Sequence, residues 1–211
     1  MYYLDLIGTL AFAIAGAFKA RGRQLNIFGV IVLGVITAVG GGTFRDLAIG
    51  RTPLFYLKDP NYLLIAVFGA IATYIVPHIF KKGFSLFRFL DSLGLSAFVI
   101  IGTSITYKFM FQADPNIVIM TLACILMGMV TGFGGGVIRD AVMGDVPFAF
   151  KKESGYVMAA FAGTVSFYVL MFVEVNVAVA VSIVVTLTLR EVISEYGLGK
   201  KVFKFKFLEK S

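Results

Sequence analysis

The chain has 211 residues, of which 59% are hydrophobic and only 15% are charged, and its mean hydropathy is +0.91. A soluble domain of this size could not carry so apolar a sequence without aggregating, so the composition indicates an integral membrane protein. The net charge of +7 does not indicate a nucleic-acid partner, because the basic residues lie at the ends of apolar segments, where they mark membrane orientation.

Seven apolar segments are predicted to cross the membrane as helices, since a bilayer core of about 30 Å needs about 20 apolar residues per helix. In chain order they are residues 6–18, extended upstream through Tyr2 and Tyr3 past Asp5, then 24–44, 61–80, 92–107, 115–138, 155–173 and 175–189. The last reaches full length when Arg190 snorkels to the interface. The predicted fold is an all-α membrane protein with seven transmembrane helices in one domain, residues 1–211.

The basic residues predict the orientation of these helices. With seven spans, one side collects Lys19, Arg21, Arg23, Lys81, Lys82, Arg88, Lys151, Lys152, Arg190, Lys200, Lys201, Lys204, Lys206 and Lys210, and the other side has Arg51, Lys58 and Lys108. The positive-inside rule then places the amino terminus outside and the carboxyl terminus in the cytoplasm, in the inner membrane for a prokaryotic chain. Residues 194–211 form a basic cytoplasmic tail that is suited to contact anionic membrane lipids.

An internal repeat divides the chain into two halves. Gly-Gly-Gly-Thr-Phe-Arg-Asp at 40–46 returns as Gly-Gly-Gly-Val-Ile-Arg-Asp at 134–140, and further matches pair Asp5 with Asp91, Phe12 with Phe98, Pro53 with Pro147 and Tyr62 with Tyr156. Each half holds three spans, so the second must enter the membrane from the opposite face. The sequence predicts inverted repeats at 4–80 and 90–173, with a seventh helix at 175–193.

The glycine triplets are predicted to break the second and fifth helices. Gly40, Gly41 and Gly42, followed by Thr43, and the equivalent Gly134, Gly135 and Gly136 let the backbone leave helical geometry and free carbonyl groups for a cation or polar solute. Irregular backbone is tolerated at membrane depth only inside protein or along a wet cavity, so both breaks are expected to face the interior. The alternative is that the glycines only permit close packing of helices.

Buried charges follow each triplet. Arg45 precedes Asp46 and Arg139 precedes Asp140, but adjacent side chains on a helix point about 100° apart, so each arginine is expected to have another carboxylate partner. The repeat predicts that Arg45 pairs with Asp5 and Arg139 with Asp91. These six charges are interpreted either as rings at the two mouths of a permeation pathway or as structural clamps.

Other candidate residues are few. Phe44 and Phe133, next to the glycines, are candidate gates of a narrow pore, or ordinary packing residues. The sequence lacks His-Glu-x-x-His and Gly-x-Ser-x-Gly and has one histidine, so we expect neither enzymatic activity, nor a cofactor, nor a metal beyond transient monovalent cations.

Two three-helix halves that each carry Gly-Gly-Gly-x-x-Arg-Asp, followed by a seventh helix, resemble the prokaryotic trimeric intracellular cation (TRIC) channel family, which is also labelled a glycine transporter domain family. The resemblance implies a homotrimer whose subunits each contain a pore between the second and fifth helices, passing potassium with some sodium. It assigns Gly40 to Gly42 and Gly134 to Gly136 as kinks, with Arg45, Asp46, Arg139 and Asp140 after them.

Three functions remain open at this stage. The leading hypothesis is a potassium-permeable monovalent cation channel, and the alternative is a secondary transporter for glycine or another small amino acid. A channel needs a continuous wet path, whereas a transporter needs one occluding pocket with groups for both ammonium and carboxylate. A third hypothesis is a membrane scaffold that transports nothing.

Overall fold

The computed structural model describes residues 1–76, 83–113, 116–151 and 154–195. Eight α-helices occur in these ranges: α1 (Tyr2–Gly22), α2 (Ile27–Ala48), the short α3 (Phe55–Lys58), α4 (Asn61–Ile75), α5 (Gly83–Ala113), α6 (Ile117–Val142), α7 (Tyr156–Leu170) and α8 (Val175–Glu195). The end of the third predicted span, 77–80, and residues 196–211 of the predicted tail lie outside the described residues.

The seven long helices form a multi-pass integral membrane protein. Five of them, α1, α2, α5, α6 and α8, are long and apolar enough to cross a bilayer. The other two, α4 and α7, have 15 residues each and occupy equivalent places in the two halves. At 1.5 Å per residue each is about 22 Å long, which is shorter than the hydrocarbon core of about 30 Å.

Helices α1 and α5 form the centre of the bundle, where the two halves meet. The rings of Phe12 and Phe98 stack on each other with their centroids 5.2 Å apart. Each is the repeat equivalent of the other, so the pseudo-two-fold axis of the inverted repeat passes between them. Gly8 lies against Ala97, and its equivalent Gly94 lies against Phe12, so the chain makes this contact in both directions.

Equivalent signals begin and end α2 and α6. Asn26 Oδ1 accepts a hydrogen bond from the Gly29 amide at 2.9 Å, and Asn116 Oδ1 accepts one from the Val118 amide at 3.1 Å, so an asparagine caps each amino terminus. After the carboxyl termini, Gly50 and Gly144 have φ values of +73° and +72°. Such backbone favours glycine, and it turns the chain into the same loop twice.

The predicted breaks in α2 and α6 are wrong, because both helices run without interruption through their glycine triplets. A break would release backbone amides and carbonyls at membrane depth, where each unsatisfied group costs several kcal/mol. An unbroken helix keeps those bonds, and each glycine costs only about 1 kcal/mol relative to alanine. The glycines serve instead to bring the two helices together.

Candidate functional site

Helices α2 and α6 cross with their backbones in contact at the glycine triplets. A Cβ atom at Gly41 would overlap the carbonyl oxygen of Thr131, and a Cβ at Gly135 would overlap the carbonyl oxygen of Thr37. Thr37 and Thr131 are themselves equivalent in the repeat, so the crossing is symmetric and lies near the middle of both helices. Only glycine allows this approach, as at other close helix contacts in membranes.

One buried charge cluster lies where α2 ends, at what we name the outer end of the bundle. Asp46 is fully buried and accepts hydrogen bonds from Arg45 Nε at 2.9 Å and from Arg45 Nη2 at 2.8 Å. Arg51 Nη1 lies 3.1 Å from the same carboxylate, and the Phe55 amide donates to it at 3.2 Å. Asp46 therefore neutralises a buried arginine and also fixes the loop that follows α2.

The equivalent cluster lies where α6 ends, at the opposite or inner end. Arg139 Nε donates to Asp140 Oδ1 at 2.7 Å, and Arg139 Nη1 donates to Asp91 Oδ1 at 3.3 Å. The Phe148 amide donates to Asp140 Oδ2 at 2.8 Å, which matches the role of the Phe55 amide. Lys19 Nζ lies 2.7 Å from Asp140 Oδ1 and supplies a second positive charge.

Helix α8, which lies outside the repeat, inserts a further arginine into the inner cluster. The Arg190 side chain is fully buried, and its Nη1 donates to the Ser154 carbonyl oxygen at 2.8 Å. Its Nη2 lies 3.8 Å from Asp91 Oδ2, and the guanidinium stacks over the Tyr156 ring at 4.6 Å. The prediction that Arg190 snorkels to the interface is wrong, because these partners compensate its charge inside the protein.

The sequence-derived pairing is correct at one end only. The contact between Arg139 and Asp91 is present, whereas Arg45 binds its neighbour Asp46 and not Asp5 in the part of the chain that the structure describes. Asp5 accepts instead from Tyr62 Oη at 2.9 Å. Neighbouring side chains do diverge on a helix, but the arginine side chain is long enough to fold back and reach the next carboxylate.

Four residues of the charge clusters were not among the candidates predicted from the sequence. Lys19, Arg51 and Arg190 each supply a cation to a buried carboxylate, and Tyr62 covers Asp5. Only Tyr62 carried a usable signal, since it matches Tyr156 in the repeat. The three cations have no repeat equivalent of the same charge, so symmetry could not point to them.

The remaining candidates lie around the crossing. The Thr43 hydroxyl donates to the Val39 carbonyl oxygen within its own helix at 2.8 Å, and Thr37 donates likewise to Leu33 at 2.6 Å. Phe44 is 51% exposed on the surface of the bundle. Phe133 is partly buried, and its ring meets that of Phe150 edge to face at 6.3 Å. A gating role for either phenylalanine stays a prediction.

Two cavities flank the crossing at opposite ends. The inner cavity, of about 450 Å³, opens between α2 and the end of α6 and is lined by Arg23, Leu25, Gly29, Val32, Leu33, Val142 and Met143. The outer cavity, of about 320 Å³, is lined by Arg51, Ile105, Lys108, Phe109 and Gln112. Among the described residues, no group of three His, Cys, Asp or Glu side chains is placed to hold a metal ion.

Known proteins are similar to this chain over nearly its whole length. A family model described as "Glycine transporter" matches residues 2–78 and 88–172. The UPF0126 inner membrane protein YadS of Escherichia coli (strain K12) is 37% identical over 196 residues, which cover 90% of this chain and 89% of YadS.

Solved structures share the fold. The TRIC trimeric intracellular cation channel orthologue from Rhodobacter sphaeroides superposes with a TM-score of 0.83 at 31% identity, covering 93% of this chain and 98% of that one. A second structure, described as the structural basis for conductance through TRIC cation channels, gives a TM-score of 0.79 at 32% identity, covering 93% and 94%. On the family match and these identities, the chain belongs to the prokaryotic TRIC family, whose family model carries the description glycine transporter.

Proposed function

We propose that the protein is a monovalent cation channel, permeable to potassium, with one pathway per subunit of a homotrimer, running between α2 and α6. The observation that carries this proposal is the glycine crossing of two inverted helices, which lies between buried charge clusters at opposite ends of the bundle. A pathway between inverted halves, with its narrowest point near the membrane centre, is the arrangement expected of such repeats.

The crossing represents a closed pathway in this proposal. Backbone meets backbone there, so α2 and α6 must move apart before an ion can pass. Gly41 and Gly135 add no side chain to the gap, and the neighbouring carbonyl oxygens of Thr37 and Thr131 lie at its edge. Carbonyl oxygens are ligands that replace the water of monovalent cations in channels. Separation would therefore expose polar backbone to the pathway.

The charge balance at the outer end suits a cation. Asp5 and Asp46 offset Arg45 and Arg51, so the outer cluster is neutral, and Asp46 holds both arginines against itself. A cation approaching from this end therefore meets no net positive charge within the cluster.

The solved relatives support the same function. The Rhodobacter sphaeroides protein and the second structure are both described as cation channels, and the former is described as trimeric. We extend the homotrimer and the cation pathway to this chain on that similarity. Lys19, Arg21 and Arg23 lie at the inner end, so we place that end in the cytoplasm, in an inner membrane as for YadS.

A second function has an observation of its own. The inner cluster holds Lys19, Arg139 and Arg190 against Asp91 and Asp140, and this excess of cations suits a carboxylate. With the family description, this favours a secondary transporter for glycine or another small amino acid as the alternative.

One reconstitution separates the two functions. Purified protein in liposomes is tested for potassium flux and, in the same vesicles, for uptake of radiolabelled glycine, with protein-free vesicles as the control. The channel predicts potassium flux that rises without saturation in the millimolar range and no glycine uptake above the control. Saturable glycine uptake with control-level potassium flux would overturn the channel and support the transporter.

A further inference from the structure

Ion pairs join the two halves of the protein at the inner end. Lys19 and Arg23 stand at the end of α1 in the first half, and Asp140 and Asp145 stand at the end of α6 in the second. Lys19 Nζ lies 2.7 Å from Asp140 and 3.8 Å from Asp145, and Arg23 Nη2 contacts Asp145 directly. We name these four residues the inner latch.

The repeat supplies an internal comparison at the outer end. By the spacing that pairs Asp5 with Asp91, the equivalents of Lys19 and Arg23 are Ile105 and Phe109, which carry no charge. The equivalent of Asp145 is Arg51, which turns back to Asp46 of its own half at 3.1 Å. Both ends therefore have a cavity, but at the outer end Arg51, Ile105 and Phe109 line it without the ion pairs that join the halves at the inner end, as far as the described residues show.

The latch lies at the mouth of the inner cavity. Arg23 lines that cavity together with residues of α2 and with Met143 after α6, so the latch spans the inner end of the interface that must open. Movement of the inner end of α6 away from the corner between α1 and α2 separates Asp145 from Arg23 and Asp140 from Lys19. The two halves cannot part at this end while both pairs persist.

The latch is also built to open reversibly. The side chain of Asp140 is 1% exposed and stays bound to Arg139 and to the Phe148 amide, so it keeps partners when Lys19 leaves. Arg23 is 55% exposed and Asp145 25%, so water can replace this pair. Exposed pairs contribute little and are screened by salt, which suits a contact that must break during each opening.

We propose that the inner latch is the inner gate of the pathway, which holds the inner ends of the two halves together in the closed state, while among the residues that the structure describes no ion pair joins the halves at the outer end. The proposal rests on the proposed function for its flux readout. It assigns a role to Lys19, Arg23 and Asp145, and it makes opening asymmetric in a protein whose two halves are otherwise built alike.

The test measures flux in liposomes of the full chain. Arg23→Gln and Asp145→Asn should each raise potassium flux about two- to fivefold, the range set by removal of one exposed ion pair. The double variant Arg23→Asp with Asp145→Arg should bring flux below that of either single variant, because the pair is restored with its signs exchanged. It should stay above the wild-type level, because Lys19 Nζ lies 3.8 Å from Asp145 and would repel an arginine there. The matched control Lys58→Gln removes an exposed outer cation that lines neither cavity, and it should leave flux unchanged.

A second readout does not depend on conduction. In a Cys124→Ser background, Ile138→Cys places a thiol on α6 against Gly40 of α2, and its labelling by a membrane-impermeant cationic thiol reagent from the inner side is timed. Arg23→Gln should speed labelling by the same two- to fivefold, and the exchanged pair should slow it again. The size of the trimer peak in size-exclusion chromatography checks that each variant is folded.

The outcomes separate the gate from the channel. Faster labelling in vesicles that carry no potassium flux would overturn the channel and leave the gate supported. If the wild type conducts potassium, and if Arg23→Gln and Asp145→Asn leave flux unchanged and Arg23→Gln leaves labelling unchanged, the gate is overturned and the channel stays supported. Raised flux in the exchanged pair, equal to that of the single variants, would also overturn the gate, because it would show that the charges act without pairing.

Discussion

The glycine crossing gives a sharp contrast between two adjacent residues. In Gly135→Ala the new methyl group would overlap the carbonyl oxygen of Thr37, which is backbone of α2 and cannot rotate away. In Gly136→Ala the nearest atoms are Arg139 Nη2 at 3.6 Å and Tyr156 Oη at 3.9 Å, which is ordinary contact. The two substitutions add the same atom to the same helix, so they differ only in what that atom meets.

The two substitutions are expected to change the stability of the protein in opposite directions. Alanine is favoured over glycine within a helix by about 1 kcal/mol, so Gly136→Ala should be neutral or stabilising by up to about that amount. In Gly135→Ala the same gain is offset by overpacking, which costs about 1 to 3 kcal/mol and more when backbone must shift. We expect Gly135→Ala to be less stable than Gly136→Ala by about 1 to 3 kcal/mol. Gly41→Ala should behave like Gly135→Ala because of the repeat.

The assay is the thermal midpoint for loss of the monodisperse peak in detergent, compared among the wild type and the three variants under one heating protocol. Gly135→Ala and Gly41→Ala should lower the midpoint, and Gly136→Ala should not. Equal midpoints for Gly135→Ala and Gly136→Ala would refute the contact between the two backbones. A midpoint for Gly41→Ala above that of the wild type would refute the symmetry of the crossing.

Three further predictions concern the charges and the helix ends. Asp46→Asn should lower the free energy of unfolding by about 3 to 5 kcal/mol, since it leaves the buried Arg45 without the carboxylate that binds it. Asp5→Asn keeps an acceptor for Tyr62 and should lower it by under about 1 kcal/mol; equal thermal midpoints would contradict the pairing. Arg190→Lys should lower the thermal midpoint, because lysine cannot both donate to a carbonyl and stack flat on a ring, and an unchanged midpoint would show that α8 contributes only charge. Asn116→Ala removes the cap of α6 and should cost about 1 kcal/mol by the same assay, with no loss expected for the exposed Lys108→Gln.

The membrane fold could be predicted from the sequence because its signals are strong and local. Continuous apolar segments indicate membrane-spanning helices directly. Because each repeat has an odd number of spans, the second repeat must be inverted in the membrane relative to the first. The spans near residues 61 and 156 were predicted longer than the 15-residue helices α4 and α7, since hydropathy reads apolar residues in turns as part of the helix. Residues 171–173, for example, are apolar but lie in a turn after α7.

The glycine triplets show where sequence reasoning was incomplete. Three consecutive glycines do lower helix propensity, and from propensity alone a break was the natural expectation. Propensity does not record what the helix packs against, and the contact between Gly41 and Thr131 exists only in three dimensions. The packing alternative, which the sequence left open, describes the structure.

The charge pairs show a similar limit. Symmetry predicted equivalent aspartate partners for the two arginines. The predicted partner of Arg139, Asp91, is in contact with it, whereas Arg45 binds Asp46 in place of the predicted Asp5. The two ends differ because Arg51 and Tyr62 satisfy the outer carboxylates, whereas Lys19 and Arg190 enter the inner cluster. Residues that break the repeat carry no symmetry signal, so their contacts could only be read from the structure.

The most direct test of the proposed cation channel is recording of the purified protein in a planar bilayer under a potassium chloride gradient. We predict discrete current steps that reverse on the potassium side of zero, toward the potassium equilibrium potential, and that persist when glycine is added to both sides. Currents that reverse toward the chloride equilibrium potential, or a silent bilayer from protein that takes up glycine in liposomes, would contradict the account.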